Sequence, residues 1–147
     1  MYKILLATDG SEHAQKTIQA VIELGKSLKA DITILSVVES IPLGEYYLIG
    51  KASNAKKSVE ITEKHLEDRA LKILEKTERD FQEKNIVVKT LLKKGHPADT
   101  ICKVVEEGRF DLVVVGSRGL GGLRELILGS VSNKVAHCVK TSVLIVK

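Results

Sequence analysis

Short, uninterrupted apolar runs that alternate with longer amphipathic segments constrain this 147-residue chain more than any other feature. Runs such as "KILLAT" and "LVVVG" show no polar–apolar alternation, which is typical of strands buried on both faces. The longer segments repeat apolar residues every three to four positions, which indicates helices with one buried face. This β–α alternation predicts a mainly parallel sheet with right-handed crossovers and helices on both faces.

The pattern predicts one domain over residues 1–147, with no internal repeat or linker. Residues 39–55 contain Pro42, Gly44 and Gly50 and are expected to form a loop. Strands are predicted at 3–8, 31–38, 85–95, 110–117 and 142–147, and helices at 12–30, 56–84, 96–108 and 130–139. The helix faces expected to be buried hold Ala14, Ile18, Val21, Ile22 and Leu28 in the first helix, and Leu66, Ala70, Ile73, Leu74, Thr77 and Phe81 in the second.

Composition excludes several function classes. The net charge is only +4, and Lys and Glu are interleaved along the chain, so we expect no nucleic-acid partner. No apolar run approaches the roughly 18 residues of a membrane span, so no membrane role is expected. The first strand leaves no room for a signal peptide, which predicts a cytoplasmic protein. Cys102 and Cys138 show no CxxC spacing and fall in apolar helical contexts, so we interpret them as small buried hydrophobic residues.

The glycine-rich stretch "VVVGSRGLGGLRELILGSVSNKV" lies between the fourth strand and the last helix. In an open parallel sheet, ligands bind beyond the carboxyl ends of the strands, where the strand order reverses. If the first and fourth strands are neighbours, the turn at Asp9 and the loop after Gly116 meet over one crevice. Glycines allow close backbone approach, and a helix start at Ser130 offers N–H groups to an anion. A Cβ at Gly129 would then collide with a bound phosphate; the alternative is a flexible surface loop with a helix cap at Ser130.

Two standard phosphate-binding motifs are absent from the sequence. A Walker A loop ending at Gly25 would need glycine at position 20, which is Ala20, and this segment lies in a predicted helix. A GxGxxG fingerprint that starts at Gly119 would need glycine at position 124, which is Arg124. The stretch therefore predicts neither a P-loop nor a dinucleotide site.

The spacing of Gly116, Gly119, Gly129 and Ser130 instead resembles the nucleotide-binding motif G-x2-G-x9-G-[S/T] of the universal stress protein family, in its ATP-binding branch. The segments "ILLATDGSEHA", "LSVVE", "GHPADTI" and "SVLIVK" resemble other parts of the family in the same order. The resemblance implies a doubly wound, five-stranded α/β fold of the adenine nucleotide α-hydrolase type, with sheet order 3-2-1-4-5.

The resemblance also implies a ligand set, namely ATP with Mg²⁺ or Mn²⁺. Asp9 would help to hold the cation through water, and the Val37 backbone would hydrogen-bond the adenine. Ala7 and Thr8 would line the ribose and phosphate side of the site. The residues implied to wrap the ribose and phosphates are Gly116, Gly119, Gly129, Ser130, Val131 and Ser132.

The residues favour binding over catalysis. We identify no P-loop lysine, no base to position water and no arginine finger. Arg118 and Arg124 could reach phosphates, but we expect their side chains to face solvent. Asp9 has a second interpretation as a turn former or helix cap. We therefore expect a nucleotide-dependent module with slow or no hydrolysis, and the resemblance implies a stress-response or regulatory protein with a protein partner that the sequence does not identify.

The sequence also leaves two alternative functions open and predicts an oligomeric state. The first alternative is an adenine-nucleotide hydrolase or transferase with a second substrate pocket near residues 39–55. The second is a phospho-acceptor receiver domain, disfavoured because the first strand ends in a single acidic residue, Asp9. The apolar last strand, "SVLIVK", would lie at the sheet edge and predicts a homodimer through that strand.

Overall fold

The computed structural model describes residues 1–40, 55–118 and 128–147, with side chains described from residue 57 onward in the second segment. The described residues form five strands and four helices that alternate along the chain. The strands are β1 (Lys3–Ala7), β2 (Asp31–Val38), β3 (Val88–Lys94), β4 (Leu112–Gly116) and β5 (Ser142–Val146). The helices are α1 (Ala14–Leu28), α2 (Ala55–Gln82), α3 (Pro97–Gly108) and α4 (Ser130–Cys138).

The strands form one parallel sheet in the order β3-β2-β1-β4-β5, which confirms the predicted topology. Ile4 of β1 is in register with Ile32 of β2 on one side and with Leu112 of β4 on the other. The chain therefore builds outward from β1 in both directions, and the strand order reverses between β1 and β4. This reversal opens a crevice at the carboxyl ends of the two strands.

Two apolar layers cover the two faces of the sheet. Even-numbered β1 residues such as Ile4 and Leu6 pack with α1 and α2, where Phe81 is completely buried. Leu5 points to the opposite face and packs with residues of α3 and α4, including Ile101 and Val135. This division explains the continuous apolar runs, because each central strand buries both sets of alternating side chains.

The predicted face of α2 is buried at Ala70, Leu74, Thr77 and Phe81 and half-buried at Leu66 and Ile73, and that of α1 is buried except at one end. Ala14, Ile18, Val21 and Ile22 are buried, whereas Leu28, in the last turn of α1, is 45% exposed. The apolar period gives the side of a helix that faces the sheet but not how far along the helix the sheet extends. No helix in the three described segments is long and apolar enough to cross a membrane.

The two cysteines contradict the sequence-based interpretation. Cys138 is exposed and Cys102 is half-buried, and a disulfide joins them between α3 and α4. Both residues lie in helices, as predicted, but neither is a buried hydrophobic residue. The reason is tertiary, because α3 and α4 pack side by side on one face of the sheet although the cysteines are 36 residues apart in sequence.

Candidate functional site

A cavity of about 360 Å³ lies at the carboxyl ends of β1, β2 and β4, where the strand order reverses. This volume falls within the range typical of small-molecule sites. Gly119, one of the predicted site residues, lies outside the described residues. All the other predicted site residues line the cavity: Ala7, Thr8, Asp9, Val37, Gly116, Gly129, Ser130, Val131 and Ser132.

The start of α4 forms one wall of the cavity. Gly129 is the N-cap and, as a glycine, has no side chain with which to cap the helix. The first turn of the helix closes with the hydrogen bond that Asn133 N donates to Gly129 O at 2.9 Å. The preceding N–H groups, those of residues 130–132, have no acceptor within the helix and carry its positive end. An uncapped helix start beside a cavity is suited to bind an anion.

Ser130 is not the helix cap that the alternative interpretation assigned to it. It is the first residue of α4, it is exposed, and it lines the cavity. Its hydroxyl is consequently placed beside the helix start, without a capping hydrogen bond. The cap position falls one residue earlier because Gly129 has the extended conformation (φ −58°, ψ 155°) that precedes a helix.

Gly129 also approaches the chain's own backbone closely, a contact that the sequence did not indicate. Its N–H donates to Ser117 O at 2.8 Å, and a Cβ at this position would lie 3.2 Å from the same oxygen. A side chain at 129 would therefore need the Ser117 backbone to shift by a few tenths of an ångström, and the predicted collision with a bound phosphate stays a prediction. The buried Ser132 hydroxyl reinforces this closure, since it lies 3.0 Å from Gly129 O and 3.4 Å from Ser117 O.

The turn after β1 places a carboxylate at the cavity. Asp9 Oδ1 accepts a hydrogen bond from Ser11 N at 2.9 Å, and Gly10 N donates to Thr8 Oγ1 at 3.3 Å. Gly10 has a φ of 72°, in the left-handed region that glycine adopts most readily. Asp9 therefore does act as a turn former, and this role is compatible with a carboxylate at the cavity wall.

The direction of the β2 backbone supports the predicted contact at Val37. Leu35 O accepts a hydrogen bond from Thr8 N at 3.0 Å, so the odd-numbered residues of β2 direct their backbone groups toward β1. The β1–β2 pairing ends at the Ala7–Leu35 pair. Two residues further along, Val37 directs its N–H and C=O to the same side, where β1 has already ended and the cavity begins.

Several lining residues were missed as functional residues by the sequence analysis. Arg118 was expected to face solvent, but it is half-buried and lines the cavity, and exposed Arg69 of α2 lines the opposite wall. The cavity also holds the carboxylates of Asp9 and Glu39, so its side-chain charges balance, and the helix start of α4 is the feature that favours an anionic ligand. The apolar period of α2 placed Ala70 and Ile73 on the buried face, but no sequence signal showed that this face borders the cavity.

Thr17 of α1 is a further lining residue without a sequence signal. It is 2% exposed, and its Oγ1 has no hydrogen-bond partner within the part of the chain that the structure describes. A Cβ placed on Gly116 would lie 3.5 Å from this oxygen, so Thr17 lies directly beside the end of β4. A buried hydroxyl without a partner is costly, and a ligand in the cavity could satisfy it.

Polar groups also join α3 to α4 beside the cavity. Lys134 Nζ lies 2.7 Å from Asp99 Oδ1, and His96 Nδ1 lies 3.4 Å from Asp99 Oδ2. The hydrogen bond from Lys134 is the main reason that the pKa of Asp99 is lowered from its ordinary value. His13 and His96 are both exposed. Over residues 1–40, 55–118 and 128–147, no group of three or more His, Cys, Asp or Glu is arranged to hold a metal ion.

The sequence and fold were compared with known proteins. The model of the universal stress protein family matches residues 1–147. Universal stress protein YxiE of Bacillus subtilis is 34% identical over 145 residues, which cover 99% of this chain and 98% of the relative. The solved structure of MJ0577 matches with a TM-score of 0.83 at 27% identity and covers 99% of this chain and 94% of that one.

A third comparison is with a universal stress protein family protein from Arabidopsis thaliana, At3g01520, which was solved with AMP bound. Its TM-score is 0.70 at 23% identity, and the match covers 100% of this chain and 92% of that one. The solved neighbours share the adenine nucleotide α-hydrolase-like fold, with the same sheet order, that the sequence predicts. Because the family model spans the chain from its first residue to its last, the protein belongs to the universal stress protein family.

Proposed function

We propose that this protein is a regulatory module that binds ATP together with Mg²⁺ or Mn²⁺ and hydrolyses it slowly or not at all. The observation that carries the proposal is the uncapped start of α4, which faces a cavity at the reversal point of the sheet. The Arabidopsis relative with AMP bound supports an adenine nucleotide as the class of ligand. The cationic side chains of Arg69 and Arg118 at the cavity support a ligand with several phosphates.

Different cavity residues would contact different parts of the nucleotide. The Val37 backbone would hold the adenine, because its N–H and C=O face the cavity beyond the end of β1. The N–H groups at the start of α4 and the Ser130 hydroxyl would hold the phosphates. Asp9 would hold the cation through water, since Mg²⁺ normally takes one or two carboxylates together with phosphate oxygens and waters. The Thr17 hydroxyl would find a partner on the bound ligand.

We expect slow turnover because of the kinds of side chain that line the cavity. Among the described lining residues the carboxylates belong to Asp9 and Glu39, and Asp9 Oδ1 already accepts a hydrogen bond from Ser11 N. Efficient phosphoryl transfer normally needs a residue that positions the attacking water and a cation aligned on the transferring group. The cavity therefore fits retention of the nucleotide better than rapid cleavage. The alternative enzyme hypothesis placed its second pocket near residues 39–55, most of which lie outside the described residues.

Isothermal titration calorimetry with ATP, ADP, AMP and cyclic AMP, each with Mg²⁺, tests the proposal. We expect ATP to bind, and we expect Gly129→Val to weaken binding by about tenfold or more, because the displaced N–H groups each lose a hydrogen bond worth roughly 1.5–3 kcal/mol. Circular dichroism should show an unchanged fold. An absence of heat with all four nucleotides at millimolar concentration would refute the proposal.

A matched pair of arginine variants tests whether the phosphates lie at the α4 end of the cavity. Arg118→Gln removes a cation that lines the cavity, whereas Arg79→Gln removes an exposed cation elsewhere on α2. We expect Arg118→Gln to weaken ATP binding more than adenosine binding, and Arg79→Gln to change neither. Equal effects of the two variants on ATP would contradict the assignment of the phosphate end.

We also propose that the protein is a homodimer that pairs through β5. β5 lies at the edge of the sheet, and its residues from Val143 to Val146 are only half-buried. An exposed apolar edge strand offers unpaired N–H and C=O groups to a second chain. Antiparallel pairing of two copies about a twofold axis would satisfy both edges at once.

A further inference from the structure

The disulfide between Cys102 and Cys138 is not part of the cavity, yet it links two helices that begin there. Pro97 at the start of α3 and Ser130 at the start of α4 both line the cavity. The two cysteine Cα atoms are 6.2 Å apart, within the 4.4–6.8 Å that disulfides span without backbone movement. The backbone positions of α3 and α4 are therefore already suited to a reversible bond between these two residues.

The two cysteines differ in their exposure to solvent, and this difference determines which of them reacts first with a small molecule. Cys138, the last residue of α4, is exposed, whereas Cys102, within α3, is half-buried. A small molecule can reach the sulfur of Cys138 more readily than that of Cys102. Exposed disulfides are the ones that exchange with thiols, and disulfides in cytoplasmic proteins are usually transient and redox-sensing. The sequence-based expectation of a cytoplasmic protein is consistent with such a role.

A second link between the same helices lies one turn closer to the cavity. Lys134 of α4 and Asp99 of α3 form an ion pair at 2.7 Å. Asp99 precedes Cys102 by three residues and Lys134 precedes Cys138 by four, so both links lie along the same sides of the two helices. α4 rises about 12 Å from Ser130 to Cys138, at roughly 1.5 Å per residue, and a short helix of this kind moves as a rigid rod. A constraint at Cys138 therefore acts on the position of the N–H groups at the other end.

We propose that Cys138 and Cys102 form a thiol–disulfide exchange site for low-molecular-weight disulfides and thiols, and that formation of their disulfide strengthens nucleotide binding at the start of α4. The second half of this proposal rests on the proposed nucleotide-binding function. The first half, the exchange site itself, does not depend on it.

The exchange balances with a small disulfide, RS–SR, as the oxidant. The Cys138 thiolate attacks one sulfur of RS–SR, forms a mixed disulfide and releases one RS⁻, which is protonated to RSH. The Cys102 thiolate then attacks the Cys138 sulfur, forms the α3–α4 disulfide and releases the second RSH. In total the two protein thiols lose two electrons and two protons, and RS–SR is reduced to two RSH; an excess of RSH runs both steps in reverse.

Oxidation should raise the affinity because it limits how α4 can move relative to α3. In the reduced protein, the ion pair between Lys134 and Asp99 is exposed and holds the helices only weakly. A ligand that binds only one position of the α4 start must then also order this helix, and the free energy of ordering lowers its affinity. The covalent link removes part of that cost beforehand. We expect ATP to bind the oxidised protein about fivefold or more tightly than the reduced protein, at the lower end of typical coupling between sites.

The exchange half is tested on the full chain in buffers of reduced and oxidised glutathione, followed by alkylation and mass spectrometry. We expect the intramolecular disulfide to form as the oxidised fraction rises and to be lost on reversal. The single variants form a matched pair: Cys102→Ser should accumulate the glutathione adduct on exposed Cys138, and Cys138→Ser should form far less adduct on Cys102. Two thiols that remain free in oxidised glutathione, or equal adducts in both variants, would overturn the exchange site.

The coupling half is tested by calorimetry with ATP and Mg²⁺ on the oxidised and the reduced protein. The double variant Cys102→Ser/Cys138→Ser should bind like the reduced protein and should not respond to glutathione. Affinities within twofold of each other in the two redox states would overturn the coupling and leave the proposed function intact. ATP binding in neither state would refute the proposed function and the coupling together, while the glutathione assay would still decide whether the exchange site exists.

Discussion

Thr17 offers a sharp test of whether the cavity wall holds a polar group that the protein itself does not satisfy. The side chain is 2% exposed in α1, and its Oγ1 has no hydrogen-bond partner among the residues that the structure describes. Thr77 in α2 is the matched control. It is 3% exposed, but its hydroxyl donates to Ile73 O at 2.8 Å. The same substitution, Thr→Val, therefore removes an unsatisfied hydroxyl at one site and a satisfied one at the other.

The two variants should change stability in opposite directions. Valine has nearly the shape of threonine and a similar helix propensity, so the hydroxyl dominates the difference. Leaving a buried hydroxyl without a partner costs roughly 1–3 kcal/mol, and Thr17→Val should raise the free energy of unfolding by an amount in that range. Thr77→Val loses a formed hydrogen bond and should lower it by about 0.5–1.5 kcal/mol. In a domain of this size, each kcal/mol shifts the Tm by roughly 2–4 °C.

Urea denaturation and scanning calorimetry of the nucleotide-free protein, both under oxidising conditions, measure these changes. An unchanged m-value would show that the variants alter stability rather than the extent of unfolding. A decrease in Tm for Thr17→Val, or shifts of the same sign in both variants, would refute the reasoning, because the Thr17 hydroxyl would then be satisfied in solution. With ATP present, Thr17→Val should also bind the nucleotide more weakly, whereas Thr77→Val should not.

Four other predictions follow from the described contacts. Lys134→Met should raise the pKa of Asp99 toward its ordinary value in an NMR titration, and an unchanged pKa would contradict the assigned cause. Because the pKa of Asp99 is lowered in the folded state, this group stabilises the fold at pH values above its ordinary pKa. That stabilisation is lost as the pH falls through the folded-state pKa. Light scattering should give twice the chain mass of 16.1 kDa, and Ile145→Pro should reduce it to the monomer, whereas a monomeric parent protein would exclude pairing through β5. Single-turnover assays with labelled ATP should show conversion over many minutes; a rate near 10 per second, roughly the typical enzyme value, that is lost in Asp9→Ala would favour an enzyme. Reduction of the α3–α4 disulfide, which links residues 36 positions apart, should lower the free energy of unfolding by about 4 kcal/mol, and an unchanged calorimetric Tm would contradict this.

The residues by themselves were enough to predict a parallel sheet, whereas its strand order came from the resemblance to a known family. Ile4, Leu5 and Leu6 are all fully buried, because a central parallel strand is covered on both faces and a continuous apolar run has no other stable location. The helix faces followed from the same physics, since a period of 3.6 residues places one stripe against the sheet. The glycine and serine spacing indicated where a ligand would meet the carboxyl ends of the strands, and the described members of that set do line one cavity.

Only the tertiary structure decided the relations between residues that are distant in sequence. Gly129 lies close to Ser117 and donates a hydrogen bond to its carbonyl, and this depends on how the end of β4 meets the start of α4. Arg118 lines the cavity and is half-buried, although the sequence favoured a solvent-facing side chain. Cys102 and Cys138 form a pair because α3 and α4 pack side by side on one face of the sheet. A periodic pattern in the sequence indicates which side of a single helix or strand is buried. Contacts between residues of different elements depend on packing distances and backbone directions, which exist only once the chain has folded.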